Sequence, residues 1–242
     1  MTLQNLALMA IPAVVSAVGG VLAALWRPSH KARSLIQHFA AGVVLAALAV
    51  ELFPELEKEH ANRWLLVLSF AVGSLFMYGL KVYTTRLEKA EKEAPQQSHG
   101  SGVSKGLLLA TFIDVATDGF IIGAGFAAGG STGLVLCIGL SVELLFLGLS
   151  LTSDQMKRRT TFLLSAALGL VVVVAAVVGN WLLGGASHDT IGAALAASAA
   201  ALLYLVTDEL LMEAHEIEEA PSSVLVLFGG FLAFWCVKLF GE

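Results

Sequence analysis

Apolar residues run along this chain in long blocks instead of alternating with polar ones. Eight blocks stand out, at approximately 4–26, 34–55, 63–82, 105–127, 131–152, 161–184, 190–213 and 222–240. Each is close to the roughly 20 apolar residues that a helix needs to cross a hydrocarbon core of about 30 Å. Short punctuation separates them: Arg27-Pro28 after the first, Gly129-Gly130-Ser131 between the fourth and fifth, Gly184-Gly185 after the sixth. Residues 83–104 form the one long hydrophilic stretch, rich in Lys, Glu and Gln and ending in Ser98-His99-Gly100-Ser101-Gly102. It is expected to be a mobile cytoplasmic loop inside a single transmembrane domain, 1–242. The pattern predicts an all-α polytopic membrane protein. The first block has no basic segment before it and no small-residue cleavage signal, so an uncleaved span is expected there.

Composition agrees with the pattern. Hydrophobic residues make up 57% of the chain and charged residues only 14%, against about 25% charged in a soluble domain. The net charge of −5 and the lack of a basic patch give no reason to expect a nucleic-acid partner. Cys137 and Cys236 lie inside apolar blocks without a paired spacing and are expected to be small core residues. The basic residues predict an orientation. With the N-terminus outside, the inner side holds Arg27, Lys31, Arg33, Lys81, Arg86, Lys89, Lys92, Lys105, Lys157, Arg158 and Arg159. The outer side holds Lys58, Arg63 and Lys238, a ratio of eleven to three, so both termini are expected to be extracytoplasmic in a cell (inner) membrane.

Two segments echo each other. The second block ends Val50-Glu51-Leu52-Phe53-Pro54-Glu55 and the seventh ends Asp208-Glu209-Leu210-Leu211-Met212-Glu213. Five spans separate the copies, an odd number, so they point in opposite directions through the membrane. Blocks 1–3 and 6–8 are therefore expected to be inverted repeats around a central pair, a 3+2+3 arrangement common in secondary transporters. Chance similarity in a biased composition is the alternative.

Against this apolar background the acids are conspicuous, because an ionised side chain at the bilayer centre costs at least about 2.5–3.5 kcal/mol on insertion scales. Counted from Lys105 at 1.5 Å per residue, Asp114 lies about 13 Å and Asp118 about 20 Å into the fourth span. Their i, i+4 spacing puts both carboxylates on one helical face. Two like charges in a low dielectric repel unless one is protonated or a cation sits between them. Glu143 is mid-way along the fifth span, and the short connection makes that helix the antiparallel neighbour. No basic residue is expected in a span interior to neutralise the three. A divalent cation is the reading drawn here, against protonated carboxyls hydrogen-bonded between helices. Glu51 and Glu55 near one end of the second span, and Glu209, Glu213 and His215 at the opposite end of the seventh, would extend a ladder of ligands across the membrane. Each pair read alone is as well explained by solvation at a helix end. Pro54 removes a donor from the helix beside Glu51 and predicts a kink. His30, His60, His99 and His188 are expected in solvated loops or span ends, and His38 at an interface or in packing. Gly119 and Gly123 form a GxxxG, read as close helix packing.

These stretches resemble the ZIP family of divalent-metal transporters, in eight-span layout and in degenerate motifs. Asp114-Val115-Ala116-Thr117-Asp118-Gly119, continuing to Gly123, is similar to the family's His-Asn-x-x-Glu/Asp-Gly-x-x-x-Gly, with Asp114 for His and Val115 for Asn. In the fifth span Glu143 takes the family's first ligand position and Gly148 its glycine, while Leu144 and Leu147 replace acids. Glu51-Leu52-Phe53-Pro54-Glu55 and Glu209 to His215 are similar to the family's Leu-Pro-Glu and Pro-Glu-Ser/Ala-His segments. The resemblance implies transport of a divalent cation by alternating access, with pH-dependent uptake because carboxylates bind metal only when deprotonated. It implies Asp114, Asp118 and Glu143 as ligands, and the loss of a second family metal position at Val115, Leu144 and Leu147. Oxygen ligands shift preference toward Mn²⁺ or Fe²⁺, although Zn²⁺ outranks both in the general affinity series. A proton- or sodium-coupled carrier of another solute using the same acids is the alternative. No His-Glu-x-x-His or nucleophile elbow is present, so no enzyme and no cofactor is expected. The expected partners are divalent metal ions and membrane lipids, with a second copy of the chain as a candidate in a homodimer.

Overall fold

A helix that satisfies its own backbone is the open-chain solution to crossing lipid, and the computed structural model contains eight such crossings. It describes residues 3–25, 29–93, 105–150, 158–211 and 222–240. Among these residues the elements are all helical. The first span is α1 (Leu3–Met9) and α2 (Ile11–Leu25); the second is α3 (His30–Ala47), a π-turn (Leu48–Leu52) and α4 (Phe53–Lys58). Then follow α5 (Arg63–Glu93), α6 (Lys105–Ala128), α7 (Gly130–Ser150) and α8 (Arg158–Leu183). The seventh span is α9 (His188–Leu205) with a second π-turn (Val206–Leu210), and the eighth is α10 (Ser222–Phe240).

Local chemistry sets several boundaries. Pro12 cannot donate to the carbonyl of Leu8, and the first span breaks between α1 and α2 at that point. The Leu8 oxygen instead accepts from the Sγ–H of Cys137 at 3.6 Å. Cys137 is buried, as expected, whereas Cys236 is exposed on α10, contrary to the expectation of a core role. The hydrophilic stretch 83–104 is also corrected: α5 continues without a break to Glu93. Its Lys- and Glu-rich end is composed of good helix formers, so polarity there marks the exit from lipid and not the end of the helix. Residues 94–104, including His99, lie outside the described residues.

The spans divide by burial. Between 50% and 67% of the residues in the second, fourth, fifth and seventh spans are buried, against 11–33% in the first, third, sixth and eighth. The outer spans show Trp64, Val72, Phe76, Trp181, Leu225 and Phe228 at the surface, as lipid requires. Packing further groups the spans. The first, fourth, fifth and sixth pack on one another, while the second packs on the eighth and the third on the seventh.

The internal repeat is present in detail. Ser29 caps α3 by accepting from the Ala32 N–H, and Ser187, 158 residues later, caps α9 by accepting from the Thr190 N–H. The π-turns begin at Leu48 and Val206, again 158 residues apart. Close approaches repeat as well: Gly230 lies against the Phe39 carbonyl, and Gly73 lies 2.8 Å (measured from an added Cβ) from the Ala197 carbonyl. Gly19 faces the Leu145 carbonyl and Gly179 the Phe120 carbonyl. Blocks 1–3 thus correspond to 6–8, and the fourth span to the fifth.

The GxxxG is a packing device, as its sequence suggested. A Cβ on Gly119 would strike the Val172 carbonyl, and one on Gly123 the Ala176 carbonyl, both backbone atoms of α8. Gly123→Leu is therefore expected to destabilise the protein by about 1–3 kcal/mol or more through overpacking, read as a lower Tm in detergent. Gly79, with open space around it, should accept Ala without loss.

Candidate metal centre

Three acids from two neighbouring inner helices meet in the middle of the bundle. Asp114 and Asp118 project from successive turns of α6, and Glu143 from α7. One carboxylate oxygen of each lies within 4.8 Å of the others. Asp118 and Glu143 are buried and Asp114 is partly buried. Metal–oxygen bonds of about 2.0–2.2 Å hold two ligand oxygens no more than about 4.4 Å apart. Shifts of a few tenths of an ångström, on the order of a rotamer adjustment, would therefore close all three on one ion. Asp118 and Glu143 are 25 residues apart, the same offset that relates Phe120 to Leu145 at their glycine contacts. They are thus counterparts in the repeat, and Asp114 corresponds to Gly139. The repeat makes the site but does not make it symmetric.

The neighbouring positions are apolar. Val115 and Leu144 are buried in the main hydrophobic core and Leu147 packs against it. Oxygen ligands are therefore confined to one cluster, and no second cluster of three or more metal-type ligands occurs among the described residues.

The other predicted ligands are not brought to this cluster. Glu51 is buried within the first π-turn. The Thr132 hydroxyl donates to its Oε1 at 2.9 Å, and Lys238 Nζ lies 2.8 Å from its Oε2. Thr132 is eleven residues from Glu143 on α7, about 16 Å along the axis. Glu55 lies near Gly129 at the turn joining α6 to α7 and pairs with Lys58 at 2.9 Å. Glu51 and Glu55 are consequently a hydrogen-bonded, charge-compensated pair of acids at one end of the bundle. Glu209 has its backbone in the second π-turn, its side chain lying outside the described residues, as do Glu213 and His215.

Beside Pro54, where the sequence predicts a kink, the helix makes a π-turn, with the Phe53 N–H bonded to the Leu48 carbonyl. Proline is not its sole cause, because the turn recurs at Val206–Leu210, where the Leu211 N–H bonds to the Val206 carbonyl. The histidines are accounted for differently. His38 is buried, its Nδ1 2.8 Å from the Ser34 carbonyl, a packing role. His188 pairs with buried Glu59 at 2.7 Å and so ties the start of α9 to the end of α4. Next to it, Asp189 accepts from the Asn62 N–H at 2.8 Å. His60 is exposed, with a positive φ of 52° in the same connection.

Sequence reasoning missed the basic partners. Lys81 lies six residues inside the end of the third span and Lys238 two residues inside the end of the eighth, both counted with the loops in the reading of the sequence. Lys81 Nζ is 2.9 Å from Asp208 Oδ2, an acid of the second π-turn. The signal was present: Lys81 stands eight residues after Gly73 and Lys238 eight after Gly230, the two repeated close-packing glycines.

No protein-family model and no curated protein matches this sequence.

Breaking the Lys238–Glu51 pair leaves a carboxylate buried with a single donor. Lys238→Met is expected to cost about 1–3 kcal/mol, read as a lower Tm in thermal melts beside the wild type.

Proposed function

We propose that this protein carries a divalent transition-metal cation across the cell (inner) membrane by alternating access, as a divergent member of the ZIP family. The observation that carries the reading is the convergence of three carboxylate oxygens within 4.8 Å, on adjacent inner helices of an eight-span bundle. Like charges held that close in a low dielectric repel, and a divalent cation between them removes the repulsion. Asp114, Asp118 and Glu143 are the ligands in this reading, and the cation is cargo. The all-oxygen set shifts preference toward Mn²⁺ or Fe²⁺ relative to a histidine-containing site. The three ligands stand on two helices of one packing group (first, fourth, fifth and sixth spans), while the second, third, seventh and eighth spans supply the facing wall. Movement of one group against the other exposes the site to each side in turn. The termini are extracytoplasmic in this reading, on the eleven-to-three division of basic residues between the inner and the outer side.

The test is flux in proteoliposomes across Mn²⁺, Fe²⁺, Co²⁺, Zn²⁺ and Cd²⁺. Wild-type protein should move at least one of them, and Asp118→Ala should reduce that flux to the level of empty vesicles. Undiminished flux in Asp118→Ala would discard the site. Flux driven by a pH gradient with no divalent-metal dependence would replace the metal reading with a proton-coupled carrier.

A further inference from the structure

The repeat places a lysine against each π-turn, but only one of the two lysines faces the carboxylate site. Lys81 and Asp114 line the same small cavity of about 20 Å³, together with Met77, Leu80, Ala110 and Tyr204. Its repeat-related counterpart is lined by Phe234, Val237, Lys238 and Val135, which correspond to Met77, Leu80, Lys81 and Ala110. Gly139 stands there in place of Asp114, so Lys238 meets no acid of the site. Each lysine comes from an outer span and pairs with an acid of a π-turn, at 2.9 Å to Asp208 and 2.8 Å to Glu51, although the two acids stand at different stations of the turn, the repeat counterpart of Glu51 being Glu209.

We infer that Lys81 is a tethered counter-cation of the Asp114–Asp118–Glu143 site, held in reserve by Asp208 and competing with the divalent cargo for Asp114. The inference rests on the metal reading given above. Its physical basis is charge. Three clustered carboxylates in a weakly screening interior need positive charge whether or not cargo is bound. An ammonium on a flexible four-carbon stem can supply part of it from the cavity wall without filling the site. While cargo is bound, the same ammonium repels it, and Asp208 draws the ammonium away. The carrier therefore does not hold its cargo as tightly as three acids alone would, and the emptied site is not left with its full negative charge.

Opposite signs for two variants separate this role from a merely structural one. Equilibrium binding of Cd²⁺ to purified full-length protein, by calorimetry, is the readout. Lys81→Met should bind Cd²⁺ about tenfold or more tighter, because a positive charge beside the ligands is gone. Asp208→Asn should bind about fivefold or more weaker, because Lys81 is released toward Asp114. Lys81→Arg should stay within about threefold of wild type, since the charge is retained. The double variant Glu51→Gln/Lys238→Met, which removes the repeat-related pair without leaving a buried charge, should also stay within about threefold, being far from the site. Unchanged or weaker binding in Lys81→Met would overturn the inference. So would unchanged or tighter binding in Asp208→Asn, or equal tightening in the double variant. If Lys81→Met does not fold, the conservative Asp208→Asn decides alone. Wild-type protein that binds none of Cd²⁺, Mn²⁺ or Zn²⁺ removes the metal reading and this inference with it. Wild-type binding that Lys81→Met leaves unaltered removes only the role of Lys81.

Discussion

Charge in a low-dielectric medium has to be answered locally, and this constraint organises the bundle. Water is not available to screen a carboxylate between inner helices, so each acid carries its answer with it. Glu51 has a hydroxyl and an ammonium, Glu55 and Asp208 have ammonium groups, and Glu59 has an imidazole. Asp114, Asp118 and Glu143 are gathered close together, one oxygen of each within 4.8 Å of the others. The helices that carry the acids are for the most part the helices that are most buried, so the same side chains that make the fold costly to insert mark its functional axis.

The legible part of the structure was the part written in periodicity and depth. Eight apolar blocks became eight spans because a lipid-crossing helix has a fixed length. The central cluster was legible because the i, i+4 spacing of Asp114 and Asp118, and the single glycine between α6 and α7, fix which side chains share a level. The illegible part was pairing between distant spans. Nothing in the immediate neighbourhood of Glu51 identifies Lys238 as its partner, since the two lie 187 positions apart and only the packing of α10 on α3 brings them together. Hydropathy also places a lysine in a loop by default, because its charge outweighs the apolar stem that lets it lie along a helix and reach inward. The polar tail of α5 was misread for the related reason that hydropathy reports solvent and not backbone conformation.

Duplication explains why the architecture is economical and why it is unequal. The capping serines, π-turns, contact glycines and ion-paired lysines are shared by both halves. What differs is a handful of side chains at equivalent stations, above all Asp114 opposite Gly139. A frame built twice lets one copy of a position specialise while the other keeps only its packing role.

The π-turns add a geometric consequence of their own. Each closes its turn with a bond five residues back and so contains one residue more than the α-helical count. One residue corresponds to a rotation of about 100° around a helix axis. The phase of every side chain of α4, beyond Leu52, is therefore offset from the face that α3 would dictate. Beyond the turn, that offset sets the direction of Glu55, which lies near Gly129 at the turn joining α6 to α7. Removing a single residue from the first turn would keep the second span long enough to cross the bilayer while re-aiming everything after it. The second span is, in this sense, two helices of different phase joined end to end, and the extra residue is their coupling.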